Sequence, residues 1–198
     1  MRAATNPNPW LRALWVAAAT TACVWAMSLS APTCGGQAGK PPTSFKLETA
    51  SFRAGGDVPA KFTCQGEDVS PALKWTDPPS GTKSFVLIVD DPDAPGGTFI
   101  HWIATDIPAG ARAFPEGINR NPNALRTSGG KQGRNGFGRS GYNGPCPPPG
   151  NPHRYFFRLY ALDSPLKVGD NESKGKLEEA MKGHILATAE LMGKYQRK

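Results

Sequence analysis

Five polar side chains stand out because a β-rich core has no ordinary use for them. Asp91 and Asp93 lie two apart in the stiff turn Asp90-Asp91-Pro92-Asp93-Ala94-Pro95, which ends an apolar run. His101 is embedded in a second apolar run. An unpartnered imidazole is costly there, so something must hydrogen-bond it, and a turn carboxylate is a natural partner. His153 and Tyr155 begin a third run, HRYFFRLYAL. Side chains alternate across a strand, so these two share one face and Arg154 takes the other. The plain alternative is that Asp favours turns and a proline-rich turn simply caps a core strand. If the five converge, three chemistries are open. Two His and an Asp could bind a transition metal, although no local spacing motif supports it. A His–Asp pair could activate a nucleophile, but no Ser stands in a G-x-S-x-G turn and Cys146 between two prolines is a poor candidate. In the third, imidazole, phenol and loop amide groups grip an oxyanion.

The elements that must position these residues read mostly as strands. FKLETASF alternates, KFTCQG and the stretch Ser70–Trp75 are short strand candidates, and SFVLIV (84–89) is a continuous apolar run expected to be buried on both faces. FIHWIATDI (99–107) and HRYFFRLYAL (153–162) follow the same logic. Short strands between Gly/Pro turns predict an antiparallel β-sandwich. The glycine-rich stretch 128–144, with Phe137 and Tyr142, is a long loop without the strand and helix context of a P-loop. From Ser173, a candidate N-cap, Leu177, Met181, His184, Ile185, Leu191 and Tyr195 fall at helical spacing. The tail is therefore expected to be helical, split at Gly183, with His184 in the core.

Twenty prolines and 23 glycines in 198 residues argue against a helical bundle. Formal charge is +7; Arg2 and Arg12 supply two of these, leaving +5 for the rest, without a basic run of the kind nucleic acid requires. Residues 1–30 combine those arginines with the uncharged LWVAAATTACVWAMSL and read as an export signal or N-terminal anchor, followed by a flexible tether over 31–44 and one domain over 45–198. After export the chain keeps Cys34, Cys64 and Cys146. Cys64 and Cys146 are the candidate pair, with two buried free thiols as the alternative.

DDPDAP followed by HW, then GPCPPPG, NP, HRYFF and LYALD, resembles the two signature regions of the phosphatidylethanolamine-binding protein family. FTCQGEDVSPALKW before them and GHILATAELMGKY after them are similar to its bacterial, Raf-kinase-inhibitor-like branch. The resemblance runs from Phe45 to Tyr195. It implies a two-sheet antiparallel β-sandwich with short C-terminal helices, a small anion-binding cavity and no cofactor. By motif, Asp91 and Asp93 match the paired aspartates and His101 the histidine after them. Pro147, Pro148 and Gly150 match the loop wall, and His153 and Tyr155 the H-x-Y pair. The implied protein is a binding module for a phosphate or phosphoethanolamine-type group, not an enzyme. In it His153 and Tyr155 donate to the phosphate, the loop 147–150 supplies backbone donors, Asp91 orients His101 or meets an ammonium, and Asp93 holds the turn. The implied partners are an anionic small molecule or phospholipid headgroup, a protein target, and a second copy, since some members dimerise. The export signal argues against an intracellular kinase as target. Two other functions stay open: inhibition of an extracytoplasmic enzyme through the Pro-rich loop, and hydrolysis by the His/Asp set.

Overall fold

The computed structural model describes residues 44–118, 125, 130–166, 168–169 and 172–198, all within the compact unit Ala38–Lys198. The expected signal segment, the tether up to residue 43 with Cys34, and most of 119–129 lie outside the described residues.

Among the described residues eight strands follow in chain order: β1 Lys46–Glu48, β2 Leu73–Thr76, β3 Ser84–Asp91, β4 Phe99–Pro108, β5 Ala113–Phe114, β6 Lys131–Gln132, β7 His153–Leu162 and β8 Ile185–Tyr195. They form two antiparallel sheets, one ordered β1-β2-β5 and the other β6-β4-β3-β7-β8. Strand β3 is central, and every one of its residues is buried. Phe85, Leu87 and Val89 enter the core between the sheets with Trp75, Trp102, Phe114, Phe157 and Leu159. Val86 and Ile88 face the other way and pack under Leu177 and Met181 of the helix α1, Lys174–Met181. An uninterrupted apolar run is what a strand covered on both faces needs; each fully buried aliphatic side chain contributes about 1.5–3 kcal/mol. Asp90 continues the helix side of β3. Its buried carboxylate is ion-paired to Arg158 and, at 2.8 Å, to Lys174 of α1, which ties the helix to the sheet.

Two expectations are corrected. Among the described residues the C-terminal region holds one helix, after which Gly183 turns the chain with φ 81° and Ile185–Tyr195 forms the eleven-residue edge strand β8. Its apolar residues satisfy a period of two as well as a helical one: Ala187, Ala189, Leu191 and Tyr195 are buried while Thr188, Glu190 and Lys194 are exposed. Pairing with the full length of β7 decides between the two periods. His184 consequently lies outside the core, exposed and bonded through Nδ1 to Asp163 at 2.8 Å. The stretch KFTCQG is no strand but a 3₁₀ turn, Ala60–Phe62, followed by tight turns in which Gly66 sits against the Ala60 carbonyl.

Candidate functional site

The site gathers at the ends of β3, β4 and β7. Asp91 and Phe99 are paired across β3 and β4. Two residues later the register shifts: Asp90 pairs with Ile100 and Val89 with Trp102, so His101 is the extra residue of a β-bulge. Simple alternation would put His101 on the helix side with Ile103. The bulge re-aims it, and its ring stacks edge-on against Tyr155 at 5.2 Å, on the inter-sheet side. His153 and Tyr155 share that face of β7, as the alternation required, and Arg154 points outward.

Asp91, His101 and His153 line one cavity of about 190 Å³ together with Ala94, Pro95, Phe99, Phe137, Cys146, Pro147 and Pro148. The hydrogen bonds differ from those expected. Asp91 orients His153, not His101: its Oδ2 lies 2.8 Å from His153 Nδ1, and its Oδ1 accepts the Asp93 amide at 2.8 Å. With both oxygens engaged, the carboxylate is a positioning group for the imidazole, and the turn is closed by the same side chain. His101 Nδ1 instead meets the Asn143 backbone carbonyl at 2.8 Å. A carbonyl only accepts, so Nδ1 carries the proton and Nε2 is left with the lone pair in the neutral ring. Burial favours that neutral ring and pushes the His101 pKa below its ordinary value, although the Asn143 carbonyl and the Asp91 charge act against it.

Tyr155 lies beneath His101, fully buried, and is not part of the cavity wall. Among the described residues its hydroxyl makes no hydrogen bond of ordinary geometry. Burial and the nearby Asp91 charge raise its pKa, so it stays a phenol. Asp93 turns away from the cavity. It accepts from the Arg154 backbone amide and from Nε and Nη2 at 2.7–2.9 Å, which hold its carboxyl down to about 2. The two aspartates thus do not project together. Gly150 is also absent from the wall; its carbonyl accepts from Gln196 Nε2 at 2.7 Å. Nor can the wall donate as expected: residues 147–149 are prolines without an N–H, so they offer ring surface and carbonyls.

The Pro-rich wall is fastened to the turn after Phe62. A Cys64–Cys146 disulfide joins them, Cys64 donates its amide to the Pro145 carbonyl, and Tyr142 donates its hydroxyl to the Phe62 carbonyl. Asp68 takes the Gly144 amide and the Asn143 side chain, steadying the residue whose carbonyl holds His101. The bond also removes Cys146 as a nucleophile. Among the described residues no three His, Cys, Asp or Glu side chains form a metal-binding group. Sequence reasoning missed Phe99, which stands two residues before His101, and Phe137, which had registered only as an aromatic within a glycine-rich loop. Asn143 acts through its backbone, for which its side-chain type carries no signal.

A family model for phosphatidylethanolamine-binding proteins matches residues 48–196. A UPF0098 protein of Aquifex aeolicus is 50% identical over 149 residues, 74% of this chain and 85% of that one. Another from Chlamydia trachomatis is 41% identical over 157 residues, 77% of this chain and 99% of that one, so the matched span is nearly a whole protein there. Two solved structures are similar over 78% of this chain and 99% of their own. A phosphatidylethanolamine-binding protein homolog from Chlamydia trachomatis has a TM-score of 0.70 at 41% identity, and YbcL of E. coli, described as a member of the mammalian family, 0.74 at 34%.

Proposed function

Because the chain belongs to the phosphatidylethanolamine-binding protein family, we propose that it is an exported binding module whose cavity holds a phosphate or phosphoethanolamine-type group. One observation carries this reading: two differently prepared imidazoles, His101 and the Asp91-oriented His153, line a single small cavity whose remaining walls are apolar. His101 offers Nε2 as an acceptor for a phosphate hydroxyl or an ammonium. When His153 is protonated its Nε2–H donates to a phosphate oxygen while the charge stays paired with Asp91. The size supports a headgroup and not acyl chains. At about 190 Å³ the cavity has the liquid volume of roughly six waters, below the roughly 300 Å³ where pockets for drug-sized ligands begin.

Export belongs to the same reading. It is supported by the arginine-plus-apolar pattern of residues 1–30 and by the Cys64–Cys146 bond, since disulfides persist in oxidising compartments. The test is an NMR titration with phosphoethanolamine. The His101 and His153 ring signals are expected to move together, while His184, on the far turn with Asp163, stays still. His153→Ala should weaken binding and leave the fold intact. No shift of either ring at millimolar ligand would overturn the reading.

A further inference from the structure

One part of the cavity rim is built more firmly than a surface loop needs. Residues Arg134 and Ser140 close a short antiparallel hairpin. The buried Asn135 organises its tip: Oδ1 accepts the amides of Phe137 and Arg139 at 3.0 and 3.1 Å, and Nδ2 donates to the Gly141 carbonyl and Asn143 Oδ1 at 2.9 and 2.8 Å. Its backbone amide donates to the Arg139 carbonyl at 2.7 Å. Gly136 lies against Phe99, whose ring a Cβ would approach to 2.6 Å. What the tip displays is therefore held in place.

It displays Phe137, 43% exposed, whose inner edge packs on Phe99 and His101. Arg134 and Arg139 stand on either side, both exposed, and the Arg134 guanidinium lies over Gly138. Neither guanidinium meets a carboxylate among the described residues. Asp93, between the lining residues Asp91 and Ala94, is already bidentate with Arg154. A single exposed Phe is ordinary. A rigidly presented ring flanked along the hairpin by two exposed arginines that meet no carboxylate among the described residues, at the mouth of a headgroup-sized cavity, has the chemistry of an interfacial anchor. Aromatic rings settle at headgroup level, and basic side chains are drawn to anionic lipid.

We propose that the Arg134–Ser140 hairpin docks the protein on an anionic bilayer surface and brings the cavity mouth to the headgroup layer. This rests on the headgroup reading of the cavity, and it commits to the bilayer as the ligand's source. Two guanidiniums and one half-buried ring make the contact weak and reversible, and it falls with salt as the Debye length shortens from about 10 Å at 0.1 M to about 3 Å at 1 M.

Residues 38–198, which include the span matching nearly the whole Chlamydia protein, are the material for the test, so that the apolar segment near the N-terminus plays no part. The fragment is expected to co-sediment with phosphatidylcholine vesicles containing phosphatidylglycerol and not with pure phosphatidylcholine. Arg134→Gln and Arg139→Gln should each lower partitioning about fivefold, and Lys at either position should retain it. All four variants should leave the titration with free phosphoethanolamine unchanged. Absence of sedimentation, or equal sedimentation of the Gln variants, overturns the docking proposal even where phosphoethanolamine binds. Capture of a phosphorylated peptide without vesicle binding does the same. Hairpin-dependent sedimentation with no phosphoethanolamine response supports docking and sinks the headgroup reading instead.

Discussion

His101 and His153 share a cavity but are prepared for opposite roles by what holds Nδ1. Burial favours an uncharged His101, against the pull of the Asn143 carbonyl on its Nδ1; a carboxylate stands behind His153. For His101 the folded pKa lies below the unfolded value of 6.5. Below that pH the unfolded chain binds the proton more readily, so this histidine's contribution is complete above about pH 6.5 and is lost as pH falls, at up to about 1.4 kcal/mol per pH unit. In acid unfolding followed by circular dichroism, His101→Phe should flatten that part of the profile; an unchanged slope would remove His101 as its source. Asp91→Asn keeps an oxygen for the Asp93 amide but takes the charge from behind His153. A hydrogen bond to a charged group is worth about 1.5–3 kcal/mol, so phosphoethanolamine affinity should drop about tenfold or more by calorimetry with little change in melting temperature. Asp93, paired with Arg154 outside the cavity, should leave affinity untouched when changed to Asn.

At the scale of elements, the site depends on two irregularities. The bulge in β4 turns His101 toward the cavity, and the fastening of the 142–148 stretch to the turn after Phe62 fixes the Pro-rich wall. Gly144 is the tightest point of that fastening, since a Cβ would lie 2.1 Å from the Phe62 carbonyl oxygen, a backbone atom that cannot step aside. Gly144→Ala is expected to cost about 1–3 kcal/mol in denaturant unfolding, as overpacked sites do, and to weaken ligand binding along with stability. The disulfide closes a separation of 82 residues. Replacing both cysteines by Ser should lower stability by about 2–4 kcal/mol, and ligand affinity should fall too because Cys146 is part of the wall. Stability lost with affinity intact would mean the remaining hydrogen bonds suffice to hold the wall.

For the molecule as a whole, residues 38–198 should unfold in one cooperative transition and bind phosphoethanolamine as the full chain does, because the matched span is nearly all of the Chlamydia relative. Separate transitions in calorimetry would count against that. How much of this was readable beforehand follows from the range of each interaction. Alternation on β7 placed His153 and Tyr155 on one face and Arg154 on the other, and the apolar run of β3 announced a strand covered twice, because strand geometry repeats every two residues whatever surrounds it. The signature segments around Asp91, His101 and His153 likewise carried the family and the sandwich. Chain order alone could not show that Asp91 serves His153, 62 residues away, while His101 goes to a carbonyl 42 residues on. Backbone carbonyls look alike in every residue, and a bulge adds a residue without marking it. The tail showed the same limit: its spacing satisfied helix and strand together, and only the open edge of β7 chose the strand.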